Sequence, residues 1–249
     1  MIHHSSFYIY IMDNYVKDYR NVSEEITFAS AYSSLMRKVY LWMTCALAVS
    51  GLAAYYIATS PKLIMAIYGN SWVMWVLIIL ELALVIGLTA AIRKLSFPLA
   101  ALMFLVYSIV NGVVLSSIIL AYTMTSIATT FFVTAGTFGV MAVIGSVTKK
   151  DLTRIGSLAL MGLIGIIIAS IINIFVGNGI ADIVISIIGI IIFIGLTAYD
   201  AQKIKQMMMA ADDVNDETQK LAVVGALSLY LDFINLFLYL LRFFGRGRN

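Results

Sequence analysis

Asp232 stands about eleven residues inside the apolar run from Leu221 to Phe244. At roughly 1.5 Å of rise per residue it lies about 16 Å from the start of that run, near the middle of a hydrocarbon core about 30 Å thick. A carboxylate at that depth costs about 2.5–3.5 kcal/mol on insertion scales, so a membrane protein keeps one only with a partner or a use. Ser228, Asp232, Asn235, Tyr239 and Arg242 follow one another at steps of 4, 3, 4 and 3. On a helix of 3.6 residues per turn all five fall within an arc of roughly 80°. The last apolar run therefore carries a polar stripe, the first candidate for a working surface, with Tyr239 and Arg242 anchoring its outer end.

Two further acids belong to the same chemistry. The preceding run ends in Thr197-Ala-Tyr-Asp200, followed by Lys203 and Lys205. If helix continues through Lys205, Asp200 lies about a turn inside the inner interface, and Asp182, 18 residues earlier, shares its face near the outer end. Asp200 then either pairs with Lys203 or Lys205 at the interface or approaches Asp232 in the inner half of the bundle. Two carboxylates that close share a proton and titrate as a unit. Glu81 sits mid-span in another run, either as a buried acid hydrogen-bonded to a neighbouring Ser, Thr or Tyr or as a station for a cation. Arg93, at the inner end of that run, is either an interfacial anchor or a group that swings onto Asp200. Asn111 and Asn173 read as interhelical hydrogen-bonding residues. Acids buried inside a helical bundle point to a proton or cation pathway, and carboxylate oxygens are natural ligands of hard cations such as Ca²⁺.

Seven apolar runs are long enough to position these groups across a bilayer. They cover 39–59, 72–92, 97–122, 127–147, 155–175, 180–198 and 221–244. The expected organisation is a polar N-terminal tail over 1–38, an all-α domain of seven transmembrane helices over 39–245, and a basic C-terminal tail over 246–249. Gly177-Asn-Gly179 marks a tight turn between the fifth and sixth spans; the longer connections are 59–71 and the acidic 211–220. With the N-terminus inside, Lys17, Arg20, Arg37, Lys38, Arg93, Lys94, Lys149, Lys150, Arg154, Lys203, Lys205 and Lys220 are internal, and only Lys62, Arg242, Arg246 and Arg248 are external. This asymmetry favours an internal N-terminus. The basic tail conflicts with it, so the last segment either crosses fully or re-enters and returns; seven full crossings are the preferred reading. Ala135, Gly136, Gly139, Gly145, Gly162 and Gly165 offer close-approach sites between helices.

Composition narrows the function. Of the 249 residues 62% are hydrophobic and only 12% charged, far from the roughly 25% charged of soluble domains. The length is consumed by spans and short connections, and no basic block suggests nucleic acid. Cys45 is the only cysteine and lies in an apolar run, so no internal disulfide forms. His3 and His4 are the only histidines, which excludes a helical zinc protease or a His-based triad within the membrane. No lysine in the last run offers a retinal Schiff base. Neither an enzymatic nucleophile–base pair nor a cofactor motif is present. Met1 to Ile11 differ in character from the polar stretch opened by Met12, an alternative start, and no signal peptide is expected.

The segment Ala226-Leu-Ser-Leu-Tyr-Leu-Asp232-Phe-Ile-Asn235-Leu-Phe-Leu-Tyr-Leu-Leu-Arg242-Phe-Phe-Gly245 resembles the C-terminal signature of the Bax inhibitor-1 family, in its bacterial branch. Leu196-Thr-Ala-Tyr-Asp200-Ala-Gln-Lys-Ile-Lys205 resembles the sixth-helix motif of that branch. Phe132-Val-Thr-Ala-Gly-Thr-Phe-Gly139 and Thr148-Lys-Lys-Asp-Leu152 are similar to its fourth helix and the loop after it. The likeness runs from about Ala31 to Gly245. It implies a central last helix between two layers of three helices and a pH-sensitive Ca²⁺ leak. Asp200 and Asp232 would be the proton-sharing sensor and gate, and Glu81 would line the ion pathway, to which Ser228 and Asn235 are assigned from their place on the polar stripe. Arg93 would be the latch on Asp200, and Asp200, Asp232 and Glu81 the contacts of the metal ion. The expected partners are the lipid bilayer, calcium and protons, in a bacterial plasma (inner) membrane with a cytoplasmic N-terminus. The second reading is a membrane-embedded regulator of stress or of a membrane-anchored protease, in which the acids only hold helices together.

Overall fold

A computed structural model describes the backbone of residues 3–211 and 213–247 and the side chains of residues 29–211 and 213–247. The helices are α1 (His3–Ala58), α2 (Pro61–Tyr68), α3 (Ser71–Ala91), α4 (Phe97–Ala121), α5 (Met124–Val147), α6 (Thr153–Val176), α7 (Gly179–Met209) and α8 (Asp216–Phe244). All but α2 are long and apolar enough to cross a membrane, α1 through its part Ala29–Ala58. The architecture is the expected all-α bundle of seven spans. The candidate start at Met12 and the tail cations Lys17 and Arg20 lie outside the described side chains.

Local chemistry explains the ends. Pro61 opens α2 in the first helical turn, where its missing N–H costs nothing, so the long 59–71 connection is itself a short helix. The Asn70 and Thr123 side chains cap α3 and α5 by accepting from Trp72 N and Ser126 N. Gly177 ends α6 at φ +66°, a left-handed conformation that glycine enters without a Cβ clash, and Asn178 then caps α7. α7 runs to Met209, well past the expected end at Ala198. Its polar extension, Asp200 to Met209, is rich in good helix formers, and helix need not stop where the apolar run stops. The acidic linker is shortened in the same way: Asn215 and Thr218 form a reciprocal capping box that starts α8 at Asp216.

α8 is the axis of the molecule. It packs against α1, α4, α5 and α7, and two thirds of its most apolar window is buried, against 6–39% in the other spans. On one side α1 lies on α4 and α3 on α4; on the other α5 and α6 both lie on α7. This is a central helix between two groups of three. Apolar side chains on the outer helices α3 and α6, such as Trp75, Ile79, Ile164 and Phe175, are exposed, as a bilayer-facing surface requires.

Both ends of α8 are tied down, which settles its course. At its start Phe97 N donates to Asp216 Oδ1 (3.2 Å) and Lys38 Nζ to Gln219 Oε1 (2.7 Å). At its finish Arg246 N donates to Ser126 Oγ, Thr123 N donates to Arg246 O, and Tyr122 pairs with Gly247. These anchors lie at opposite ends of α4, so α8 crosses the bundle fully and does not re-enter. The end holding Lys38 and the α5–α6 loop is termed the N-side below, and the end holding Gly247 the C-side.

Only some of the small-residue notches are used. A Cβ on Gly145 would run into the backbone of Ala198, and one on Gly162 would come within 2.8 Å of Ile192 Cδ1, so α5 and α6 approach α7 closely there. Gly136, Gly139 and Gly165 face open space instead. Their rotation about the helix axis, which spacing alone does not set, carries them away from the interfaces.

Candidate functional site

The polar stripe of α8 lines a groove. Ser228, Asp232, Asn235 and Tyr239 face a cavity of about 440 Å³ whose other walls are Leu160, Leu163 and Ile167 from α6 and Phe193, Leu196, Tyr199, Asp200 and Lys203 from α7. Asp200 and Asp232 thus open onto one space at membrane depth. A second cavity of about 430 Å³ continues toward the C-side, sharing Ile167, Asn235 and Tyr239 and ending at Tyr122 and Arg242. All five stripe residues line this composite groove.

α8 presents its stripe here because α7 gives way to it. Gly189 lies under the ring of Tyr239, where a Cβ would come within 2.7 Å of ring carbons, and Phe193 stacks on the same ring at 5.8 Å between centroids. Gly225 accommodates Ile204 in a similar manner nearer the N-side. Next to Asp200, the buried Gln202 side chain accepts from Leu152 N (2.9 Å) and donates to Lys150 O (2.8 Å). Lys205 Nζ donates to Ser146 O at 2.8 Å. These bonds fasten the α5–α6 loop beside the groove's N-side end.

The two acids lack conventional partners. Asp232 is 5% exposed, and its Oδ2 is buried without a hydrogen bond. No ion pair or hydrogen bond joins Asp200 to any described residue. Lys205 is committed to Ser146, and Lys203 lies over the Tyr199 ring, 5.9 Å from its centroid. Asp200 therefore has no hydrogen bond or direct ion pair with Lys203 or Lys205, although the Lys203 charge acts on it through space. Asn235 donates back to Leu231 O in its own helix, which leaves its carbonyl oxygen available to the groove.

Glu81 and Arg93 are placed elsewhere. Asn111 Nδ2 donates to Glu81 Oε1 (2.8 Å), Tyr230 OH to Asn111 Oδ1 (2.8 Å), and Tyr230 OH meets Ser50 Oγ at 2.6 Å, which in turn contacts Ser108 O at 2.7 Å. This chain clamps α3, α4, α8 and α1 together. Tyr230 precedes Asp232 by two positions, about 200° around the helix, so Glu81 lies on the far side of α8 from the aspartates. Among the described residues no cluster of three or more acids, histidines or cysteines could hold a metal ion, so the structure does not bring Glu81 to Asp200 and Asp232. Arg93 lines an N-side pocket with Ile92, Glu217, Lys220 and Leu221, and no latch to Asp200 is formed.

The clamp also has a proton count. In the arrangement above, the Tyr230 and Ser50 hydroxyl protons are asked to serve three short contacts, so one contact carries no hydrogen bond. Reversing the Asn111 amide satisfies all four contacts in sequence, from Glu81 to Asn111, Tyr230, Ser50 and Ser108, provided Glu81 carries a proton. The amide's orientation and the charge of Glu81 are thereby linked. Asn173, as expected, is an interhelical donor: its Nδ2 reaches Asp182 Oδ1 at 2.9 Å across the α6–α7 turn.

Relatives share most of this chain. Residues 32–249 match the family model described as inhibitor of apoptosis-promoting Bax1. The inner membrane protein YbhL of Escherichia coli K12 is 45% identical over 214 residues, 86% of this chain and 92% of its own. An uncharacterised protein of Borreliella burgdorferi is 44% identical over 87% of this chain and 94% of its own, and protein RP147 of Rickettsia prowazekii is 39% identical over 96% and 100%. A family match over nearly nine tenths of the chain, a bacterial relative at 45% identity and a seven-span bundle about a central last helix agree: the chain belongs to the bacterial branch of the Bax inhibitor-1 family, as an integral membrane protein.

Proposed function

We propose that the protein is a proton-sensitive Ca²⁺ leak, in which Asp200 and Asp232 share a proton and gate passage along the groove. The observation that carries this reading is the pair itself: two acids open onto one cavity at membrane depth, and a buried oxygen of one has no partner. A buried acid without a structural bond is costly, so a use is favoured over a packing role. The groove adds the Ser228 hydroxyl and the Asn235 carbonyl as oxygen ligands. Ca²⁺ takes six to eight oxygens, and two carboxylates with a few neutral oxygens make a weak station, suited to an ion that must also leave. Lys203, at the N-side mouth, opposes entry while the aspartates are neutral and is offset when they are charged.

In this reading the N-side is cytoplasmic, since it carries most of the chain's lysines and arginines. Glu81 acts through the clamp on the far side of α8, holding the axis helix at its rotation. Purified protein in liposomes should pass Ca²⁺ at a rate that changes between pH 5 and 8. Absence of flux above protein-free liposomes at every pH in that range would leave the regulator without transport activity as the better account.

A further inference from the structure

The C-side half of the groove is built for a different ligand from the half that holds the aspartates. Its walls are largely aliphatic, with Ile118 from α4, Ile167, Ile171 and Ile174 from α6, and Leu238 and Leu241 from α8. Its mouth carries Arg242, with the hydroxyls of Tyr122, Ser170 and Tyr239 on the same cavity. Arg242 has no ion pair or hydrogen bond among the described residues. Asp182 is the sole acid at that end among them, and its Oδ1 is occupied by Asn173. Arg246, one turn on, adds a second cation to the same end.

Depth fixes what anion could meet this guanidinium. Ten residues separate Asp232 from Arg242, about 15 Å along the helix, which is half of a core about 30 Å thick. With Asp232 near the midplane, Arg242 sits at the edge of the hydrocarbon, where lipid phosphates lie. We propose that this half-groove binds one anionic phospholipid, its phosphodiester on Arg242 and the neighbouring hydroxyls and one acyl chain laid along the isoleucine wall toward Asn235. A bidentate guanidinium–phosphate contact supplies orientation, and the aliphatic wall replaces the lipid neighbours that the chain gives up. The site stands whether or not the protein conducts ions.

The test is native mass spectrometry of the detergent-purified full chain titrated with phosphatidylglycerol, phosphatidylcholine and inorganic phosphate. Wild type should retain one phosphatidylglycerol in preference to phosphatidylcholine, and millimolar inorganic phosphate should not displace it. Arg242→Gln should weaken retention by about fivefold or more, as loss of one interfacial cation implies, and Arg242→Lys should weaken it less. Ser170→Phe, which fills the cavity without touching the charge, should weaken it as well, while Arg93→Gln on the N-side should not. Each variant is checked for a wild-type elution profile and helical content, and Leu238→Trp, which fills the same space from α8, replaces Ser170→Phe if that variant fails the check. Equal retention by wild type and Arg242→Gln would overturn the proposal. So would equal retention of the two lipids, or displacement by inorganic phosphate, which would make the site one for a free anion.

Discussion

Tyr230→Phe removes a single oxygen from the most buried part of the molecule. The Tyr230 side chain is 0% exposed, with its ring set edge-on to Phe104 at 5.8 Å and to Tyr107 at 5.7 Å. Phenylalanine keeps the ring and both aromatic contacts, so the change isolates the hydroxyl. The loss falls chiefly on Asn111 Oδ1, whose only partner among the described residues is Tyr230, because Ser50 retains Ser108 O. Interhelical hydrogen bonds in membrane proteins average about 0.6 kcal/mol and reach about 1.7, whereas a buried polar atom left unpaired costs about 1–3 kcal/mol. The expected destabilisation is therefore about 1–2 kcal/mol, measured as reversible unfolding in mixed dodecylmaltoside and SDS. In an Asn111→Val background the orphaned acceptor is absent, and the same substitution should cost about 0.5 kcal/mol or less. A cost under 0.5 kcal/mol in the wild-type background, or the same cost in both, would refute the clamp as a stabilising element.

Three further outcomes follow from the geometry. Gly145→Ala should destabilise by about 1–3 kcal/mol, because its methyl meets the Ala198 backbone, while Gly136→Ala, in open space, should be neutral or slightly stabilising in the same unfolding assay. Asp151, in the α5–α6 loop, accepts from Thr153 N (2.9 Å) and Oγ1 (2.6 Å), which hold its carboxyl below the usual carboxylate range. A depressed value stabilises at neutral pH and loses that contribution as pH falls through the folded value. Asp151→Ala should therefore speed hydrogen exchange at Thr153 near pH 7, and the difference from wild type should close in strong acid. Glu81→Gln keeps an acceptor for Asn111 and lies off the groove, so the protein should fold and keep the pH midpoint of any flux; a shifted midpoint would put Glu81 in one titrating unit with the aspartates.

The sequence was most legible where one helix decides the outcome. The α8 stripe follows from spacing within a single element, and all five of its residues line one composite groove. The seven spans follow from length and hydropathy, and the central position of α8 came only with the family resemblance. What spacing could not convey was rotation between helices. Glu81 and Tyr230 meet through Asn111 of α4, and only the packing of α3 on α4 reveals that this chain approaches α8 from the side opposite Asp232. Arg93 reads as a partner for Asp200 because both lie at the N-side, yet α3 sits in one group of three helices and α7 in the other. Gln202 carries no signal in the sequence although it follows Asp200 by two positions. Its partners are backbone atoms of the α5–α6 loop, and no side-chain pattern marks a backbone partner.

The Asp200–Asp232 pair, facing one cavity, is proposed to act as one titrating unit. Its most direct test is Ca²⁺ flux across liposomes from pH 5 to 8 for wild type, Asp200→Asn and Asp232→Asn, with folding checked by elution profile. Asparagine keeps the size of Asp232 and removes a buried carboxyl whose Oδ2 has no hydrogen bond, so stability should hold or rise and comparison at equal folded protein is possible. Either substitution should remove most of the pH-dependent step seen in wild type, because each leaves the other acid without its proton-sharing partner. Wild-type flux with an unchanged midpoint in both variants would contradict it, and would assign the two aspartates to holding α7 against α8.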